Sequence, residues 1–283
     1  MSGRSRPRVD RLGAQIVAML LLGAFLRPAH AEDASPWARD MHSAVRLIAA
    51  SASHDKGRPV LRAGIEIRLD PGWKTYWRYP GDSGVPPRFV FTRSENIQSV
   101  TVKWPAPNRF TDDSGQSIGY HDRVIFPLAI VPKDASRPVR LRADLDYAVC
   151  EKLCIPAEGK VDLVTDGKPT SQEAALTAAE ARVPQRRSLG EGSALSLNAV
   201  TREGGRIVVD VAARADKVDV FAEGPSPDWA LPLPEPVAGA PAGLKRFAFA
   251  LDGLPPGASP DGAVLTLTAI TDDEAIEVAW PTK

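Results

Sequence analysis

From Val139 to Val149 the chain alternates without a break. Val139, Leu141, Ala143, Leu145, Tyr147 and Val149 are apolar or aromatic, and Arg140, Arg142, Asp144 and Asp146 lie among them. A period of two cannot line one face of a helix, which repeats about every 3.6 residues, so the run specifies a strand with one buried face. The same period returns at Val161 and Leu163, and upstream at Ile65, Ile67 and Leu69. Val124–Val131 is a further apolar strand in which Pro127 suggests an edge or a bulge. Turn signals are frequent: Asp70-Pro-Gly, Pro80-Gly-Asp-Ser-Gly, Pro86-Pro87 and Asp113-Ser-Gly. Short strands punctuated in this way predict an all-β chain built as an antiparallel sandwich.

One stretch departs from this pattern. Residues 170–183 read as a helix, with Thr170 or Ser171 as its cap and Pro184 as its stop. Gln185–Gly190 reads as linker, with Arg186 and Arg187 solvated. A second strand series follows: Leu195/Leu197, Ile207/Val209/Val211, Val218/Val220, Phe247/Phe249/Leu251, Leu265/Leu267/Ala269 and Ile276/Val278/Trp280. The expected organisation is a first sandwich over 32–168, a helix and linker over 169–190, and a second, smaller β-sandwich over 191–283. The second half holds no cysteine, no histidine and no catalytic cluster, so it reads as a binding or spacing module.

Residues 1–31 read as an export signal: Arg4, Arg6, Arg8 and Arg11 precede an apolar core over 12–26, and Ala29-His-Ala closes it. The core is short for a membrane span, which needs roughly 20 apolar residues. The expected location is therefore the periplasm, an oxidising space. Removing these residues leaves 30 basic against 34 acidic side chains, a net charge of −4. Nothing in that balance resembles the basic stripe that neutralises phosphates, so nucleic acid is not an expected partner.

Against that background stand the chain's two cysteines, Cys150 and Cys154, in the run Tyr147-Ala-Val-Cys-Glu-Lys-Leu-Cys-Ile-Pro. Three readings are open. A bridge this short is feasible but adds less than the ~3 kcal/mol expected for a 15-residue loop, so it is a poor staple. A disulfide on a protruding hairpin is open to thiolate attack, which suits electron exchange. Two thiolates can also hold copper or zinc, with His121 or Met41-His42 as the available helpers, yet neither stands at ligand spacing. No metal site and no cofactor are assigned. Lys152 is the one cation between the cysteines, with Asp144, Asp146 and Glu151 around the loop. That setting does not favour a depressed thiol pKa, so the oxidised loop reads as the target of a partner's thiolate. Trp73, Tyr76, Trp77 and Tyr79 crowd one segment, where alternation favours core packing over a docking surface, and Trp104 reads as packing. No phosphate loop, Ser-His-Asp set or zinc-hydrolase motif is present.

Four motifs, in order, carry a resemblance: Pro71-Gly-Trp-Lys-Thr-Tyr-Trp-Arg, Val102-Lys-Trp-Pro, Gly119-Tyr-His-Asp-Arg-Val-Ile-Phe-Pro-Leu, and Tyr147-Ala-Val-Cys-Glu-Lys-Leu-Cys-Ile-Pro-Ala-Glu. Residues 37–166 resemble the periplasmic N-terminal domain of DsbD-type thiol:disulfide interchange proteins, including the Scs-type versions of copper-tolerance systems. The resemblance implies an immunoglobulin-like fold, no cofactor, and a protein-disulfide reductase role for Cys150 and Cys154, in electron transfer such as that serving cytochrome c biogenesis. It implies Cys154 as the contact to acceptors and Cys150 as the resolver. It also implies a cap loop at Phe110, Asp112 and Asp113, with site-lining tyrosines at Tyr76, Tyr120 and Tyr147. The implied partners are a DsbD/CcdA-type membrane electron transporter or a thioredoxin-like protein acting in trans, and periplasmic thioredoxin-fold acceptors. Two features differ from the family pattern: the gap between the cysteines is shorter, and Asp112-Asp113-Ser114 replaces the aromatic tip of the cap.

Overall fold

The computed structural model describes residues 33–282 apart from 82–83, 113–114 and 193, together with Met1 and Gly3. The proposed export signal lies outside the described residues. Eleven strands come first: β1 (Ala38–Asp40), β2 (Ser43–Asp55), β3 (Arg58–Leu69), β4 (Lys74–Gly81), β5 (Arg88–Val90), β6 (Ile97–Val102), β7 (Asn108–Asp112), β8 (Gly115–His121), β9 (Arg123–Pro132), β10 (Val139–Cys150) and β11 (Cys154–Thr165). One helix, α1 (Glu173–Ala181), leads to β12 (Gln185–Arg186), β13 (Leu195–Glu203), β14 (Arg206–Ala213), β15 (Asp219–Glu223), β16 (Glu235–Pro236), β17 (Lys245–Ala250), β18 (Val264–Ile270) and β19 (Ala275–Pro281).

These strands make four sheets. The first runs β1-β2-β3-β9-β6, and the second runs β11-β10-β4-β8-β7 with β5 added against β10. Leu47, Ile65, Ile67 and Phe126 of the first sheet close on Leu141, Leu145, Tyr147 and Val149 of the second in one buried core. The alternating run 139–149 therefore buries each of its odd-numbered residues, as a period-two strand must. The other two sheets, β12-β19-β18-β15 and β13-β14-β17-β16, enclose a second core around Leu197, Val209, Phe249, Leu267 and Val278. The whole is an immunoglobulin-like, all-β arrangement.

Three local expectations need correction. The helix starts at Glu173, with Gln172 in the cap position and no side-chain cap, and Thr170 Oγ1 instead accepts from the Gln172 N–H at 3.0 Å. The helix is held by packing: Leu176 seats on Ile48 and Ile125, on the outer face of the first sheet. Pro127 lies on an interior strand, since β9 sits between β3 and β6. In an antiparallel strand the N and O of one residue point to the same neighbour. The Pro127 carbonyl accepts from Lys103 N, just past the end of β6, so the missing N–H costs no ladder bond to β3. Finally, the segment read as linker is stitched down, at its far end by the Gly190 N–H donating to the Leu197 carbonyl at 2.7 Å. The Arg182 carbonyl accepts from Ala106 N, and Gln185–Arg186 pairs in parallel with Ile276–Glu277.

On the outer face of the first sheet, Glu66 is fully buried among arginines, with Arg46 Nε and Arg123 Nε each at 2.7 Å and Arg68 Nε at 3.1 Å. Burial alone would raise its pKa, but the guanidinium groups outweigh it and hold the carboxyl below its ordinary 4.5. A carboxyl depressed in the folded state stabilises above its unfolded pKa and loses that contribution as the pH falls through the folded one. The stability gap between wild type and Glu66→Gln is therefore expected to shrink as the pH drops below about 4.5. Urea midpoints at neutral and acidic pH check this, and a gap independent of pH would refute it.

Candidate functional site: a hairpin disulfide over a buried tyrosine

Cys150 and Cys154 form the last cross-strand pair of the β10–β11 hairpin, and their sulfurs are joined in a disulfide with the Cα atoms 4.1 Å apart. The hairpin is already closed by the eleven residue pairs that precede them, from Val139↔Thr165 to Val149↔Ile155. A bridge at its very end ties together nothing that the ladder has not. Glu151, Lys152 and Leu153 make the turn, and Leu153 is 74% exposed at its tip.

The two sulfurs are not equivalent. Cys150 is 1% exposed, whereas Cys154 belongs to the exposed class. Parity explains the placement. Tyr147 and Val149 point into the core, so Ala148 and Cys150 point to the outer face of the second sheet, where they form a small buried cluster with Tyr76. The Tyr76 hydroxyl lies 2.7 Å from Cys150 Sγ and 3.1 Å from Cys154 Sγ. A disulfide carries no proton, so in this oxidised state the phenol is the donor.

What covers Tyr76 is the chain that follows its own strand. A Cβ on Gly84 would overlap the Tyr76 ring and Pro80, so only glycine lets the backbone lie flat on the phenol. Val85, next along, is 57% exposed beside this cover. Beneath, Gly119 is the cross-strand partner of Tyr76, and a Cβ there would collide with the Thr75 carbonyl.

Of the expected lining residues, Tyr76 alone reaches the sulfurs. Tyr147 has the opposite parity to Cys150, and its hydroxyl meets Ser43 Oγ at 2.7 Å across the core. Tyr120 is the partner of Thr75, not of Tyr76, and donates to the Pro105 carbonyl at 2.8 Å. Burial pushes the pKa of both phenols up, so both stay protonated. Of the expected cap, Phe110 faces the same side as the cysteines: its ring lies 5.4 Å from Lys74 Nζ and edge-on to His121. Asp112 ends β7 opposite Gly115, and Asp113 lies outside the described residues. Asp144 and Asp146 are engaged away from the pair, with Arg93 and Arg88.

Lys74 is a residue that sequence reasoning passed over. It is the cross-strand partner of both Cys150 and His121, and its ammonium donates to Ser117 Oγ at 3.0 Å. The signal was present: Lys74 stands two residues from Tyr76 and so shares its face. His42 stacks on Trp73 at 3.9 Å, and His121 pairs with Asp122. Among the described residues no group of three His, Cys, Asp or Glu side chains converges to hold a metal. Trp77 and Tyr79 are core, and Trp104 packs on Phe89 and Phe126.

Fold and site together define an immunoglobulin-like β protein presenting a solvent-reachable hairpin disulfide. Residues 46–166 match the family described as "Thiol:disulfide interchange protein DsbD, N-terminal", a match that supports a thiol–disulfide exchange module in this segment. The fold is shared with the crystal structure of the N-terminal periplasmic domain of ScsB from Proteus mirabilis, at a TM-score of 0.69 and 21% identity, covering 88% of this chain and 98% of that one. No curated protein matches the sequence. Among the described residues no helix is long and apolar enough to cross a membrane.

Proposed function

We propose that this protein is a periplasmic electron relay in which Cys154 exchanges with partner proteins and Cys150 resolves. The observation that carries the reading is the unequal exposure of two bonded sulfurs over one phenol. A partner thiolate attacks the exposed Cys154 Sγ and forms a mixed disulfide. The Cys150–Cys154 bond breaks, and its electron pair goes to Cys150 Sγ as a thiolate, 2.7 Å from the Tyr76 hydroxyl that donates to it. A second partner thiol then attacks the partner's sulfur in the mixed disulfide and releases Cys154. Two electrons and two protons have entered this domain, and the partner has become a disulfide. Run backwards, the same steps deliver electrons to an acceptor: Cys154 attacks and Cys150 resolves.

The donor is a thioredoxin-like protein or a DsbD/CcdA-type membrane transporter, and the acceptors are periplasmic thioredoxin-fold proteins. Exposed Leu153, in the turn between the cysteines, and exposed Val85, next to the glycine that lies on Tyr76, give such a partner apolar surface to meet. The alternative, a bridge that only reinforces the hairpin, is separated by redox titration in glutathione buffers. The exchange reading expects a potential above about −300 mV, and a markedly lower value marks a resistant structural bridge.

A further inference from the structure

The strand that carries Tyr76 has little backbone register within its own sheet, although Thr75 Oγ1 donates to the Ala148 carbonyl at 2.9 Å and Trp77 and Tyr79 reach the core. β4 pairs with β10 at a single position, Lys74 with Cys150. Its pairing with β8 covers Lys74, Thr75 and Tyr76 and then breaks, resuming only at Gly81. Residues 77–80 therefore follow Tyr76 with no cross-strand register in the second sheet. The other sandwich supplies further anchors. Trp77 packs against Phe221 with ring centroids 5.7 Å apart. Arg78 Nε donates to Glu223 Oε1 at 2.8 Å, and its Nη2 donates to Glu223 Oε2 at 2.7 Å and Glu277 Oε2 at 2.5 Å. The Tyr79 hydroxyl donates to the Leu231 carbonyl at 2.5 Å. Three consecutive residues are thus anchored on β15, β19 and the segment leading into β16.

The neighbouring hairpin is anchored in the same way. Arg109, beside Phe110, donates to Asp219 Oδ1, Glu235 Oε1 and the carbonyls of Val220 and Pro234. Gln116 of β8 also donates to Glu235. Gln116 and Ser117 lie directly against Gly81, where the cover over Tyr76 begins.

We propose that the second sandwich is the positioning element of the redox site, holding the Tyr76 hydroxyl on the two sulfurs through Arg78. Arg78 touches neither sulfur, so it is a positioning residue that acts through Tyr76. A bidentate guanidinium with two carboxylates, mostly out of solvent, fixes strand height and tilt in a way that a loose apolar contact does not. This inference rests on the exchange reading given above.

The test is a double-mutant cycle read by the rate at which dithiothreitol reduces the oxidised protein. Glu223→Gln/Glu277→Gln alters only second-sandwich residues. In the Tyr76 background it is expected to slow reduction about three- to tenfold, and in the Tyr76→Phe background to change it less than about twofold. Arg78→Lys keeps the charge and is expected to retain part of the wild-type rate, whereas Arg78→Gln is not. Tyr79→Phe, which removes the bond to the Leu231 carbonyl, is the second probe of the same span if the glutamine pair does not fold. Equal slowing with and without the Tyr76 hydroxyl, or no slowing in any folded variant, overturns the positioning role. A wild-type bridge that dithiothreitol cannot reduce overturns the exchange reading itself, and is seen before any variant is made.

Discussion

With Cys150 replaced by serine, the remaining thiol of Cys154 is expected to be alkylated by iodoacetamide at least about tenfold faster than the lone Cys150 thiol of a Cys154→Ser variant. The difference follows from exposure. Cys154 lies in the open at the start of β11, while Cys150 is 1% exposed, packed with Tyr76 and Ala148. A buried thiol reacts only when the structure around it opens, and each opening costs free energy that lowers the observed rate. The same asymmetry decides which variant traps a partner. Cys150→Ser leaves a nucleophile that can form a mixed disulfide and has no resolver to release it. Cys154→Ser leaves a thiol that a folded partner cannot reach. Mass spectrometry of adducts formed with an oxidised thioredoxin-fold protein reads the result directly. Equal labelling of both variants, or trapping through Cys150, would reverse the assigned roles.

Tyr76→Phe is expected to slow reduction of the bridge by about 10- to 100-fold, since a hydrogen bond to a charged group contributes about 1.5–3 kcal/mol. The phenol is 2.7 Å from the sulfur that leaves, and charge on that sulfur develops only as the bond breaks. An interaction stronger in the transition state than in the ground state accelerates the step. The hydroxyl also favours the reduced form, whose thiolate accepts a stronger bond than a disulfide sulfur does. The variant's potential is therefore expected to move to a more negative value. Phenylalanine keeps the ring under Gly84, so the fold is preserved and the change reports on the hydroxyl. An unchanged rate with an unchanged potential would assign Tyr76 to packing alone.

Much of the fold was legible because strand parity is local. The run 139–149 announced its own buried face, and it also placed Cys150 outside the core, one residue past Val149. The same parity separates Tyr76 from Tyr147, which the family resemblance had grouped together. Pairing across strands is not local, and it is here that the reading missed: Tyr120 stands opposite Thr75, and nothing near either residue in the chain records that register. Arg78 shows the limit most clearly. Its partners Glu223 and Glu277 are 145 and 199 residues away, so a segment read as a crowd of aromatics gave no sign of an ionic anchor to the other sandwich. Gly84 was read as turn punctuation, yet its missing Cβ is what allows the chain to lie on the phenol.

The stitched connection between the sandwiches bears on how such a relay delivers its electrons. Thiol exchange demands that two sulfurs come to bonding distance, about 2.0 Å, so one body must travel to the other. Here the Arg182 carbonyl is bonded to Ala106, its guanidinium to the Asp272 carbonyl, and the next residues are woven into the β19 edge. These bonds tie residues 182–186 to both sandwiches. In the proposed exchange the hairpin tip is then a mooring, and the choreography of arrival and departure belongs to the partner.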